Sequence, residues 1–254
     1  MDYLISIAFV IWLYMTIVFL LALIKKDNSI VDIFWGLGFI LVAGYSVIYT
    51  GNINLKTIIL NLLILAWALR LSLHIFIRNK GKGEDFRYKA WRDTWKFFVV
   101  RSYFQIFMLQ GLFMFIIAGP VYFVNRHASG VFHFIDYTAI ILFLAGFYFE
   151  AVSDYQLVLF RKNPDNKGKI ITTGLWSVSR HPNYFGEALL WWGIGLFSLP
   201  YHQGWIMLVS PLMITLLLRF VSGVPMLEKK YREHPDWKEY KQKTAAFVPF
   251  VRFL

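Results

Sequence analysis

The chain has 254 residues, 58% of them hydrophobic, and a mean hydropathy of +0.53, well above the roughly 45–50% apolar content of soluble domains, so it reads as an integral membrane protein. A net charge of +11 would point to nucleic acid in a soluble chain, but in a membrane protein cytoplasmic loops facing anionic lipid account for it; no nucleic-acid partner is expected. The absence of cysteine excludes disulfides, thiolate metal sites, prenylation and palmitoylation.

Seven apolar stretches follow in chain order: Tyr3–Ile24, Ile30–Tyr49, Leu55–Ile77, Tyr103–Val124, Asp136–Phe160, Asn183–Leu199 and Gly204–Gly223. Most reach the roughly 20 residues that cross about 30 Å of hydrocarbon. The first lacks the basic leader of a cleaved signal peptide and is expected to remain as a helix. Lys and Arg concentrate in the odd connections and the tail, whereas the even connections hold only Lys56 and Arg126. The excess of positive charge places the N-terminus outside and the C-terminus in the cytoplasm. The expected architecture is thus a single all-α domain of seven transmembrane helices over residues 1–254, with its motifs concentrated in 150–254.

At the start of the second stretch, Ser29 and Asp32 read as a capping box, with Trp35, Gly36 and Gly38 behind them as packing residues. The third connection, RNKGKGEDFRYKAWRDTWKFFVVR, lacks a Walker phosphate loop and reads as an interfacial loop with aromatic anchors. A sharper reading has Lys80, Lys82 and Arg87 hold a phosphorylated cofactor. The tail is charged and then apolar; alone it signals short surface helices and a return of Phe247–Leu254 to the interface.

Ionisable residues inside spans cost about 2.5–3.5 kcal/mol each at mid-helix, so each needs a reason. Arg70 with His74, Glu150 with Asp154, and Asn183 with Glu187 are i, i+4 pairs, and each pair lies along one helix face. With Arg219 they fall in the cytoplasmic half of their spans, which predicts a polar cofactor chamber opening to the cytoplasm. The plain alternative is an interhelical ion-pair network that fixes packing. GLWSVSRHPNYFGE, Gly174 to Glu187, places Pro182 at the first turn of a helix, with Arg180 and His181 beside its free N–H groups, an anion site in outline. His181 is expected to close the helix start or touch a cofactor phosphate. No HxxxH or HExxH spacing is present, and no metal site is expected.

This stretch, with FEAVSDYQLVLFRKNP before it and the EKKY…YKQKTAAFVPF tail after it, resembles the steroid 5-alpha-reductase-like superfamily, and within it a bacterial branch known as a domain of unknown function. The resemblance implies a seven-helix enzyme, here of a bacterial inner membrane, that uses NADPH to reduce a carbon–carbon double bond conjugated to a ketone in a lipophilic substrate. It implies that Asp154, Arg161, Asn183 and Glu187 bind NADPH, with Lys162 adjoining. Read from the residues, Glu150, Arg180, His181 and Arg219 join that cofactor set. The reductases place a glutamate in span two and a tyrosine in span three at the ketone; here span two offers Asp32 and span three offers Arg70 and His74. His74 and Tyr184 are the candidate proton donors. A second reading is a methyltransferase of the isoprenylcysteine or phospholipid type, which shares the RHPxYxG turn and holds S-adenosylmethionine. A membrane scaffold or transporter is a third.

Overall fold

The computed structural model describes residues 2–251, apart from the Lys230 side chain. Regular structure among these residues is helical, with one isolated parallel β-bridge between Ser179 and Ala245. The chain divides into two compact units, one up to Phe132 and one from His133 onward.

In the N-terminal unit, α1 (Tyr3–Lys25) is capped by the Asp2 carboxylate, which accepts from Leu4 N–H, and ends at Lys26 in the left-handed conformation. Helix α2 (Ile30–Thr50) stops at Gly51, whose φ of 62° suits a residue without Cβ. Helix α3 (Leu55–Asn79) opens on a reciprocal capping box between Asn54 and Thr57. The short α4 (Phe86–Thr94) is capped by Asp85. α5 (Phe98–Ser102) runs through a π-helical turn, Tyr103–Met108, into α6 (Leu109–Ile117). α7 (Gly119–His127) follows at once, with Pro120 in its first turn, so the expected fourth span is displaced toward Phe98 and broken at Ala118. Gly36 is required by packing: a Cβ there would sit 2.5 Å from Ser72 Oγ and 2.6 Å from Ala68 O, which lets α2 and α3 approach closely.

The expected capping box at Ser29 does not form. The Ser29 hydroxyl bonds Asp27 at 2.5 Å instead, and Asp32 is taken by Arg87 and Tyr88.

The C-terminal unit is built on an antiparallel pair, α8 (Phe134–Lys162) and α9 (Pro182–Leu196). Three glycines bring their backbones together. A Cβ on Gly146 would strike Leu190 N and Gly186 O, one on Gly186 would lie 2.5 Å from Glu150 N, and one on Gly193 would lie 2.6 Å from Ala139 O. α10 (Val209–Leu216) passes through a second π-helical turn, Leu217–Val221, to α11 (Val224–Tyr231), and α12 (Trp237–Lys243) follows. The tail then doubles back over the loop before α9. Arg180 N–H bonds Ala245 O at 2.8 Å, the Ser179 hydroxyl bonds Phe247 O at 2.8 Å and the Tyr240 hydroxyl bonds Trp176 O at 2.6 Å. Phe247 does not return to the interface as expected; it is buried with Ala188 and Val224. The last residues of that expected segment, 252–254, lie outside the described residues.

Among the described residues, six helical segments are long and apolar enough to cross a membrane: Tyr3–Lys25, Ile30–Thr50, Leu55–Asn79, Phe98–Ile117, Phe134–Lys162 and Gly204–Lys229. Their outward faces carry apolar side chains such as Ile24 and Ile48, exposed at 79% and 83%, as suits contact with lipid. α9 has 15 residues, about 22 Å of rise, and falls short of that length by itself.

Candidate functional site

The polar residues of the C-terminal unit gather where α8 and α9 meet. Glu150, Asp154 and Arg161 lie on one stripe of α8, separated by one and then about two turns. Glu150 and Asp154 are 2% and 8% exposed. Asn183 in the first turn of α9 donates from Nδ2 to Asp154 Oδ1 at 3.1 Å, while its own Oδ1 is buried without a hydrogen-bond partner. A buried amide oxygen in that state costs stability unless a ligand or water supplies a donor. Glu187, one turn further along, is half-buried. Arg161 and Lys162 are exposed at the end of α8, about 10 Å along the helix from Asp154.

The second group surrounds the start of α9. Arg180 is 7% exposed. Its Nε and Nη2 donate to Glu228 Oε1 at 2.9 and 2.7 Å, and Nη1 donates to the Lys241 and Thr244 carbonyls. Its guanidinium also lies over the Trp237 ring at 5.7 Å. Arg180 therefore ties the turn to α11 and the tail rather than standing as a loose cation. His181 is 3% exposed, stacks on Tyr184 with ring centroids 5.7 Å apart, and has Nε2 3.6 Å from Glu228. Neither ring nitrogen has a hydrogen-bond partner within range. Burial holds the His181 pKa below its ordinary value; Glu228 pulls the other way, and the charges of Arg180 and Arg219 add to the depression. Arg219 sits in the π-helical turn over the Phe220 ring at 5.0 Å; such turns recur at functional sites. The Tyr184 ring also packs on the Ala188, Val224 and Phe247 cluster.

His74 belongs to α3 in the N-terminal unit and is half-buried. The main polar contact of that unit lies elsewhere. Asp32 accepts from the Tyr88 hydroxyl at 2.6 Å and from Arg87 Nη2 at 2.9 Å, and Arg87 Nε bonds Asp85 at 2.9 Å. Burial, with the Asp32 charge beside it, pushes the Tyr88 phenol well above its ordinary pKa. Glu84 forms a two-pronged pair with Arg92 at 2.8 Å and accepts Asn28 N–H. Arg87 is thereby committed within the unit, while Lys80 and Lys82 are exposed. Sequence reasoning overlooked Tyr88, Arg87 and Glu228 as partners. The only signal for them was density of charge, in the third connection and at the head of the tail.

The arrangement of the C-terminal unit suits a ligand that brings hydrogen-bond donors to Asn183 Oδ1 and the carboxylates, and negative charge to the basic end of α8. Residues 18–244 match the family described as "Protein of unknown function (DUF1295)". The chain is 26% identical over 211 residues to an uncharacterized protein of Schizosaccharomyces pombe, covering 72% of this chain and 60% of that one. It is 28% identical over 170 residues to 7-dehydrocholesterol reductase of Danio rerio, covering 56% and 31%. It is 30% identical over 103 residues to protein-S-isoprenylcysteine O-methyltransferase of Saccharomyces cerevisiae, covering 38% of each. The chain thus spans between 31% and 60% of the length of these relatives. No solved structure matches.

Proposed function

From the premise that this chain belongs to the DUF1295 family, whose relatives agree with a place in the steroid 5-alpha-reductase-like superfamily, we propose that it is a membrane-embedded NADPH-dependent reductase of a lipophilic enone. The observation that carries this reading is the Asn183–Asp154 pair with its unsatisfied Asn183 oxygen. A carboxamide presents the complementary donor, so Asn183, Asp154, Glu150 and Glu187 would hold the nicotinamide end. Arg161 and Lys162 would hold phosphate, with Arg219 and the N–H groups that open α9 as further donors to anionic oxygens. The bound dinucleotide would supply hydride to the β-carbon of the enone. Arg180 and His181 shape the turn, with His181 kept neutral by burial.

The ketone needs a donor as negative charge develops on its oxygen. His74 and Tyr184 are the candidates. We place the N-terminus outside and the tail in the cytoplasm, and count α9, packed along α8, as the seventh crossing.

A methyltransferase reading is favoured by the match to the yeast isoprenylcysteine enzyme, and by the buried acids, which would also suit the ammonium of S-adenosylmethionine. The two part on a direct assay. Protein in nanodiscs, given NADPH deuterated at the transferable position and a panel of steroid and isoprenoid enones, should yield deuterium at the β-carbon, and Tyr184→Phe should lower kcat without changing NADPH affinity. Methyl transfer from S-adenosylmethionine to a lipid, with no deuterium incorporated from any enone, would select the other reading.

A further inference from the structure

The far end of the N-terminal unit carries a second polar site. Asp2 and Tyr3 at the start of α1, Tyr49 and Thr50 at the end of α2, and Arg126 near the end of α7 line a hollow of about 420 Å³. Thr50 lies about 27 Å along α2 from Asp32, so the hollow is separate from the Asp32, Arg87 and Tyr88 contacts.

Its walls are held in place. The Tyr3 hydroxyl donates to Tyr122 O at 2.9 Å, the Tyr3 and Tyr49 rings lie 5.1 Å apart, and the Arg126 guanidinium sits 5.2 Å over the Tyr3 ring. Asn52 and Asn54 both bond Ala128 O, anchoring the segment that follows α7. Thr50 Oγ1 donates to Ser46 O at 2.8 Å, and Asp2 caps α1. The hollow is therefore lined by an exposed carboxylate, an exposed guanidinium and the exposed Tyr49 ring, with the buried Tyr3 ring beneath the guanidinium.

Opposite charges beside one exposed ring suit a zwitterion. An arginine fork takes a phosphate diester, while a carboxylate next to the exposed Tyr49 ring takes an ammonium. The hollow lies at the ends of helices that cross a membrane by length, the level at which tyrosines mark the boundary between hydrocarbon and water. We propose that it binds the head group of an aminophospholipid, a phosphate diester carrying a primary ammonium.

Native mass spectrometry of the detergent-purified protein tests this with added phosphatidylethanolamine, phosphatidylcholine, phosphatidylglycerol and soluble glycerophosphoethanolamine. Phosphatidylethanolamine should be retained over the other two lipids. Arg126→Gln should lower its occupancy about five-fold, the worth of one basic contact to a membrane phosphate. Asp2→Asn, which keeps an acceptor for the α1 cap, should abolish the preference for ethanolamine over choline. Lys169→Gln, in the loop after α8 where the side chain is exposed, should leave lipid occupancy unchanged. Equal retention of phosphatidylglycerol, or unchanged occupancy in both site variants, would overturn the proposal. Binding of glycerophosphoethanolamine without retention of any lipid would assign the hollow to a soluble zwitterion and overturn the lipid assignment.

Discussion

Asn183 and Asp154 join α9 to α8 through one hydrogen bond of 3.1 Å, and the bond leaves Asn183 Oδ1 buried with nothing to accept from. A pair serving packing alone would gain by satisfying both ends of the amide. Asn183→Ala should therefore weaken NADPH binding about ten-fold or more, the loss of a hydrogen bond to a charged or strongly polar partner. Quenching of intrinsic fluorescence by NADPH measures the affinity. An unchanged Kd in a folded variant would remove Asn183 from the cofactor site.

Gly186 allows that pair to form, because its missing side chain lets Glu150 N and Gly146 O come within 2.5 Å of where a Cβ would be. Gly186→Ala should cost about 1–3 kcal/mol by overpacking, and should weaken NADPH binding as α8 and α9 separate. Gly44→Ala, in α2 with nothing within 4 Å, should be neutral or stabilising by about 0.5–1 kcal/mol. Thermal midpoints in one detergent compare the two; equal shifts would show that the close approach of α8 to α9 is not needed.

Arg180 and Glu228 form a largely buried pair that fastens the turn to α11 and, through two carbonyls, to the tail. Arg180→Ala leaves Glu228 with only the looser contacts to His181 at 3.6 Å and Lys241 at 3.9 Å and should destabilise by about 3 kcal/mol, the low end for a broken buried pair. Arg180→Lys should not rescue it, since an ammonium cannot repeat the fork. The double variant Arg180→Met, Glu228→Met should recover much of the loss, because no charge is left unpaired. Failure of the double variant to exceed the single one in chemical denaturation would assign the loss to the carbonyl contacts instead.

Burial lowers the His181 pKa, and the sign of the pH effect follows. Above about pH 6.5, the ordinary histidine value, both folded and unfolded forms are neutral and the residue contributes no pH dependence. As pH falls below that, the unfolded chain takes up a proton that the folded chain resists, so stability is lost down to the folded pKa and then levels off. Thermal midpoints between pH 5 and 8 should fall more steeply on the acid side for the native protein than for His181→Gln. Parallel curves would mean that His181 protonates as readily folded as unfolded.

Much of the C-terminal unit is legible in the sequence because its signals are local. Pro182 marks the start of α9 by its missing N–H, and the i, i+4 spacing of Glu150 with Asp154 and of Asn183 with Glu187 sets each pair on one face. The glycines at 146, 186 and 193 are equally visible, although that they serve one close crossing emerges only when the helices are paired. What the sequence hides is long-range. Ser29 has the residue type and spacing of a cap, but its hydroxyl turns away and donates to Asp27, and the Asp32 carboxylate is taken by Arg87 and Tyr88, over fifty residues away. Phe247 reads as an interfacial anchor because an apolar run follows a charged one, whereas Arg180 draws that part of the tail inward through the Lys241 and Thr244 carbonyls. The apolar run that contains α9 continues past Leu196, where the helix itself ends.

NADPH is proposed to bind the polar surface of α8 and α9. That binding is tested most directly by thermal denaturation of the purified protein with NADPH, NADH or S-adenosylmethionine, each added at a series of concentrations, because a ligand that binds only the folded form raises the midpoint by mass action. The account predicts a concentration-dependent rise with NADPH that is lost in Asp154→Asn and Glu187→Gln, and none with S-adenosylmethionine. A rise with S-adenosylmethionine alone, or an NADPH response that both variants retain in full, would contradict it.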